Sequence, residues 1–258
     1  MKKLFLLLLA IPLALVMMGS DCDEPTDAID APNAATLVGD ASNHLDLIIS
    51  WSPSSTSDID GYRVYFAGAT EPLWEGMGTS FTHSSPTLGT YEIVAYMDDD
   101  ESDPLTFDTE DYVHMSTGAE IYRFDVSGQP SAYGWDLSNG SGANKNFTTA
   151  NAGEIDIWYD NDETINSCSG YGGDFVNVTG IYTSPTTYSS ISTAPYIDDV
   201  SYNNFEDIGA NYSYCVYIKK QMAYGYYGKM EITDWDMTAH KITFSWTIQT
   251  IAKWRLLD

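Results

Sequence analysis

Apolar and polar residues alternate along much of this chain, and a period of two marks strands with one buried face. Leu47, Ile49 and Trp51 share a face in a first run at 45–51. After a polar turn, Tyr62, Val64 and Phe66 alternate with Arg63 and Tyr65 across 61–67. Phe81 begins a return segment, and 89–96 sets Tyr91, Ile93 and Ala95 against Glu92, Val94 and Tyr96. A further strand fits 103–109. Beyond residue 110 the same pattern recurs at 121–126, 154–159, 214–218, 229–233 and 241–248. The last run is the most regular: Ile242, Phe244, Trp246 and Ile248 line one face, and Thr243, Ser245 and Thr247 the other. Gly, Asn, Asp and Ser clusters separate the runs, as in sandwiches and barrels. One short helix is predicted at 198–205. The pattern predicts an all-β chain with two units, 31–109 and 110–258.

The first residues set the compartment. Lys2 and Lys3 precede an apolar run from Leu4 to Met18 that only Pro12 interrupts. A charged start, a run of this length and a polar exit read as a secretory signal over 1–21. A spanning helix needs about 20 apolar residues, so this run is short for that role. Gly19, Ser20, Asp21 and Cys22 resemble a bacterial lipobox, with Asp21 where a small residue is usual. That resemblance implies lipidation of Cys22. Asp23, Glu24, Asp27 and Asp30 then form an acidic tether over 22–30. The localisation predicted is the cell envelope or cell surface as a lipoprotein, with secretion as the alternative.

Two resemblances extend this reading. The segments 47–51 and 58–65 resemble strands B and C of a fibronectin type III domain, with Trp51 as the core tryptophan of strand B. Ala31 and Pro32 open the unit as strand A does, and Tyr91 stands at the place of the corner tyrosine, whose hydroxyl ties back to the backbone. The resemblance implies a sandwich of adhesive or spacer type. In the second unit, 134–137, 156–159, 227–233 and 242–246 are faintly similar to HmuY-like bacterial lipoproteins, some of which bind haem through histidines. His114 and His240 have no recognisable partner here, so no haem is predicted. The second unit is expected to be an antiparallel sandwich or barrel.

Three cysteines in an exported chain call for an explanation. With Cys22 lipidated, Cys168 and Cys215 remain, and an oxidising compartment lets them pair. A disulfide between them is predicted, adding about 2–4 kcal/mol by restricting the unfolded chain.

Charge bounds the partners. The formal net charge is −26, from 37 acidic and 11 basic residues. Nucleic acid is excluded as a partner, because phosphate neutralisation needs a basic surface. Anionic membranes repel such a chain, so membrane contact is expected only through an N-terminal lipid.

The chemistry-bearing residues point to few sites. No Gly-x-Ser-x-Gly elbow occurs, and His44, His83, His114 and His240 share no ligand or triad spacing. Glu154 and Asp156 lie on one predicted strand face beside Trp158, a set that suits sugar chemistry. The plainer reading is a solvated outer face behind Ile155, Ile157 and Tyr159. Clustered oxygens suit a structural calcium at Asp160 and Asp162, and more weakly at 98–101. Neither run continues as an EF-hand, since the sixth positions are Ile165 and Asp103. Apart from that calcium no cofactor is expected. Tyr224, Tyr226 and Tyr227, beside Gly225 and Gly228, form a candidate ligand-binding cluster, with Tyr171, Tyr182 and Tyr188 in a second tyrosine-rich region. Together these features predict a non-catalytic exported protein that binds or displays an extracellular protein, glycan or small ligand. The alternative is an extracellular glycan-active hydrolase.

Overall fold

The computed structural model describes residues 28–171, 173–175, 177–220 and 224–258. The expected signal segment, Cys22 and most of the acidic tether lie outside them. The described chain is all-β, and its only helical elements are short 3-10 turns.

The first unit contains β1 (Asn33–Gly39), β2 (Leu47–Ser52), β3 (Gly61–Phe66), β4 (Trp74–Gly76), β5 (Ser80–His83), β6 (Thr90–Met97), β7 (Asp100–Glu101) and β8 (Leu105–Asp108). One antiparallel sheet runs β1-β2-β5. The other runs β4-β3-β6, and β7 and β8 share the far edge of β6. The strand expected at 103–109 is thus split in two. Pro104 has no N–H to give a ladder, and Ser102 bridges the gap by accepting from Ala95 N at 3.0 Å. The apolar faces of β2, β3 and β6 meet in one core of Leu47, Ile49, Trp51, Val64, Tyr91 and Ile93. The hydroxyl of Tyr91 meets the His83 ring at 2.7 Å rather than the backbone.

A 3-10 turn at Thr109–Tyr112 leads into the second unit, and Asp108 caps it through Glu110 N. That unit contains β9 (Val113–Tyr122), β10 (Ala132–Asp136), β11 (Ser141–Lys145), β12 (Ile157–Tyr159), β13 (Thr164–Ser167), β14 (Asn177–Ser184), β15 (Phe205–Asp207), β16 (Ser213–Lys220), β17 (Tyr226–Asp236) and β18 (Lys241–Gln249). Two five-stranded antiparallel sheets, β11-β10-β12-β13-β15 and β14-β16-β17-β18-β9, pack as a sandwich. The core between them includes Tyr133, Trp135, Ile157, Ile165, Val216, Phe244 and Trp246.

Several expectations are corrected. No helix forms at 198–205; a turn closed by Asp199 N on Tyr196 O gives way to β15, which pairs with β13. The run at 121–126 stops at Tyr122, where a turn closes from Val126 N to Arg123 O. The face of β18 that carries Thr243, Ser245 and Thr247 is covered over most of its length. Ser245 and Thr247 are buried, and Tyr188 hydrogen-bonds Thr247 at 2.6 Å.

The boundary at residue 110 does not divide the packing. Ile251, Trp254 and Leu256 lie in the core of the first unit. The Trp254 indole N–H donates to Leu45 O at 2.8 Å, and Arg255 Nε donates to Asn43 O at 3.0 Å. Gly39 N donates to Ala252 O, and a Cβ at Gly39 would sit 2.2 Å from Lys253 O. Only glycine permits that approach. Leu257 turns the other way, into a small core with Ile191, Ala194, Cys215 and Tyr227. Buried Lys229 holds this end by donating to Ile191 O and to the Asp258 carboxylate. The 250–258 segment therefore joins the two units.

Candidate functional site

The predicted tyrosine cluster does not form. Tyr226 and Tyr227 are adjacent on a strand and so point to opposite faces. Tyr226 packs against the core between the sheets. Tyr227 is fully buried, and its hydroxyl meets His44 Nδ1 at 2.7 Å and Ile197 N at 3.3 Å. Tyr224 is exposed under the Lys253 ammonium, 4.2 Å from its ring centre.

The predicted calcium residues serve their own turn. Asp160 accepts from Asn161 N at 2.6 Å, and Asp162 accepts from the Thr164 hydroxyl. Glu163 is taken by Arg123 and Tyr159. In the 98–101 run, Glu101 is taken by Arg63 and Tyr65. Among the described residues no group of three or more His, Cys, Asp or Glu side chains could hold a metal.

Cys168 and Cys215 are not bonded to each other; both are free and buried. They sit in different small cores, Cys168 with Phe147, Trp158 and Phe175, and Cys215 with Ile191, Tyr227 and Leu257. Burial pushes both thiols up to about 12, so neither is a nucleophile at neutral pH.

The carboxylates expected on a solvated strand face take different roles. β12 begins only at Ile157, so strand alternation does not extend back to Asp156. Asp156 is fully buried. It accepts from Trp135 N at 2.8 Å and pairs with Lys220 Nζ at 2.8 Å, with Thr179 Oγ1 at 3.4 Å. Desolvation raises its pKa against the pull of Lys220. Glu154 stays at the surface, paired with Lys145. A Cβ at Gly134 would lie 1.7 Å from Glu154 O, so this segment can cross β10 only at a glycine.

These residues border an open cleft of about 500 Å³, lined by Asp136, Ser138, Lys145, Glu154 and Lys220. Its carboxyls are shifted the wrong way for acid catalysis. Hydrogen bonds from Ser138 hold Asp136 below the usual carboxylate range, and Lys145 does the same for Glu154.

The outer face of the β10 sheet carries a second concavity. Cross-strand pairing aligns Ala132, Trp158, Asn166 and Phe205 in one row across β10, β12, β13 and β15. Phe147 stacks on Trp158 at 4.3 Å and on Phe175 at 4.6 Å between ring centres. Tyr171 meets all three edge-on. The result is a groove of about 300 Å³ in which Tyr171 (55% exposed) and Phe205 (59%) show their rings. Sequence reading placed Tyr171 in a tyrosine-rich loop but missed Trp158 and Phe205 as its neighbours. Their juxtaposition depends on the β13–β15 pairing, which no local pattern announces.

No protein-family model matches the chain, and no curated protein matches it. Among the described residues no helix is long and apolar enough to cross a membrane, which leaves strand-based crossing untouched.

Proposed function

We propose that this chain is an exported, lipid-anchored, non-catalytic binding protein that presents its second sandwich to an extracellular ligand. The observation that carries this reading is the groove over the β10 sheet. Exposed Tyr171 and Phe205 there flank polar groups of Asn166 and Asp160. Exposed rings converging with a few polar groups are what a recognition surface requires.

The first unit serves as a spacer of fibronectin type III type. Two supports favour this: the β1-β2-β5 sheet facing β4-β3-β6-β8, and Trp51 on β2 inside the shared core. The 250–258 segment fixes the spacer to the binding unit through Trp254 and Arg255. The anchor rests on Cys22 and the apolar run before it.

The hydrolase reading is less well supported. A general acid needs a raised pKa in reach of substrate. Asp136 and Glu154 face the cleft but are held low, while Asp156 is raised but sealed behind Lys220.

An intact mass from the native membrane fraction tests the proposal. The expected mass begins at Cys22, carries acyl chains and does not change on reduction. Cys22→Ser is expected to release the protein from the membrane. A wild-type protein recovered unacylated in the soluble fraction would overturn the anchor.

A further inference from the structure

We infer that the groove formed by Trp158, Asn166, Tyr171 and Phe205 binds a neutral glycan. This inference rests on the binding role proposed above and adds the ligand class.

The argument begins with the rings. A pyranose presents a C–H face of weakly positive character and a rim of hydroxyls. The face stacks on the electron-rich face of an aromatic ring, and the rim needs donors and acceptors beside that ring. The groove supplies both. Phe205 sits on β15, the last strand of its sheet, with its ring largely in solvent. Tyr171 is held edge-on against Phe147, Trp158 and Phe175, which fixes its ring without covering it.

Between the two rings, Asn166 is preorganised. Its amide nitrogen donates to Thr164 Oγ1 at 2.7 Å, and Thr164 in turn donates to Asp162. This chain fixes the amide plane in the groove, and it gives Asp162 a task other than cation binding. Asp160 and Asn204 add polar groups to the wall. Trp158 lies beneath, buried, and its indole N–H finds no acceptor among the described residues. Buried Trp51 and Trp135 also lack an indole partner inside the two main cores, so the two open rings beside Trp158, with the polar groups between them, are what mark this groove.

Charge selects the class of glycan. At −26 the chain repels uronate or sulfate polymers, so a neutral polymer is the better match. An apolar peptide would fit the rings but would leave the remaining hydrogen-bonding capacity of Asn166 and Asp160 unmet, at a cost in affinity.

Affinity electrophoresis of the full-length chain, purified in detergent, tests the inference. The gels contain soluble mannan, xylan, mixed-linkage β-glucan or amylopectin, with polygalacturonate as the acidic comparison. At least one neutral polymer is expected to retard the wild type, and polygalacturonate is not. Tyr171→Ala with Phe205→Ala is expected to weaken retardation at least about tenfold, as for loss of ring contacts. Tyr224→Ala, an exposed ring elsewhere, is expected to leave it unchanged. Because both groove rings are exposed, an unchanged thermal midpoint separates lost binding from lost folding. Retardation by no neutral polymer overturns the inference. So does retardation that survives the double variant, and that outcome leaves the wider binding role standing. Loss of binding to a Leu-rich peptide, with the sugar gels unaffected, also overturns it. The membrane-fraction mass is read separately, so failure of the anchor and failure of the groove are distinguishable.

Discussion

Replacing Trp254 by alanine is the sharpest probe of how the two units are joined. The side chain is fully buried in the first unit's core, although it lies past the last strand of the second. Truncating a buried tryptophan costs about 3–5 kcal/mol through lost transfer energy and the cavity left behind. The Leu45 carbonyl also loses its donor, which adds about 1 kcal/mol. Against a typical stability of roughly 5–15 kcal/mol, this is a large fraction. The expected fall in thermal midpoint is roughly 8–24 °C, at about 2–4 °C per kcal/mol for a chain of this size. Trp254→Phe should lose less, since much of the apolar volume stays while part of the ring system and the N–H bond to Leu45 O go. The assay is urea unfolding followed by far-ultraviolet dichroism and by tryptophan fluorescence. The wild type should give one coincident transition. Trp254→Ala should shift it to lower urea and separate the two probes, because the first core loosens before the second. A variant within about 1 kcal/mol of wild type, with coincident transitions, would refute the proposed role of this segment.

Two further predictions concern buried charge. Lys220→Met strands the fully buried Asp156 carboxylate and should cost about 3–5 kcal/mol, measured by urea unfolding at pH 7. Asp156→Asn should cost less, since the Lys220 side chain is 17% exposed and can turn to water; equal costs would contradict the assigned burial. Desolvation lowers the pKa of His44, wedged between Tyr196 and Tyr227, and that of His83, bonded to Tyr91. Their folded values lie below the unfolded 6.5, so their contribution is present above about pH 6.5 and is lost as pH falls through the folded values. Urea midpoints should fall from pH 8 to about pH 5, and His44→Gln should flatten part of that fall; an unaltered slope in the variant refutes the role given to His44.

Strands with one clean face were legible from their spacing. β2, β3, β6 and β18 fall close to where alternation of Leu47, Tyr62, Tyr91 and Ile242 with polar residues placed them. Pattern failed where tertiary contacts override local period. Glu154 and Asp156 look equivalent in sequence, yet the strand starts after both, and one is buried while the other is solvated. Tyr226 and Tyr227 look like a cluster until the pleat parts them. Cysteine count carried no geometry, and the expected bridge joins residues of separate small cores. The groove was illegible because Asn166 and Phe205 meet only through β13–β15 pairing.

The packing of Ile251, Trp254 and Leu256 under β2 also dictates an order of events. A chain synthesised from its N-terminal end presents residues 31–109 long before it presents 251–256. Until those later residues arrive, the first sandwich has an open apolar face and can hold at most a loosely packed state. Contacts that span some two hundred residues form slowly. The first unit thus sets firmly only after the last residues of the second are present. The location of one tryptophan makes the first unit the last to finish folding, although it is the first to be made.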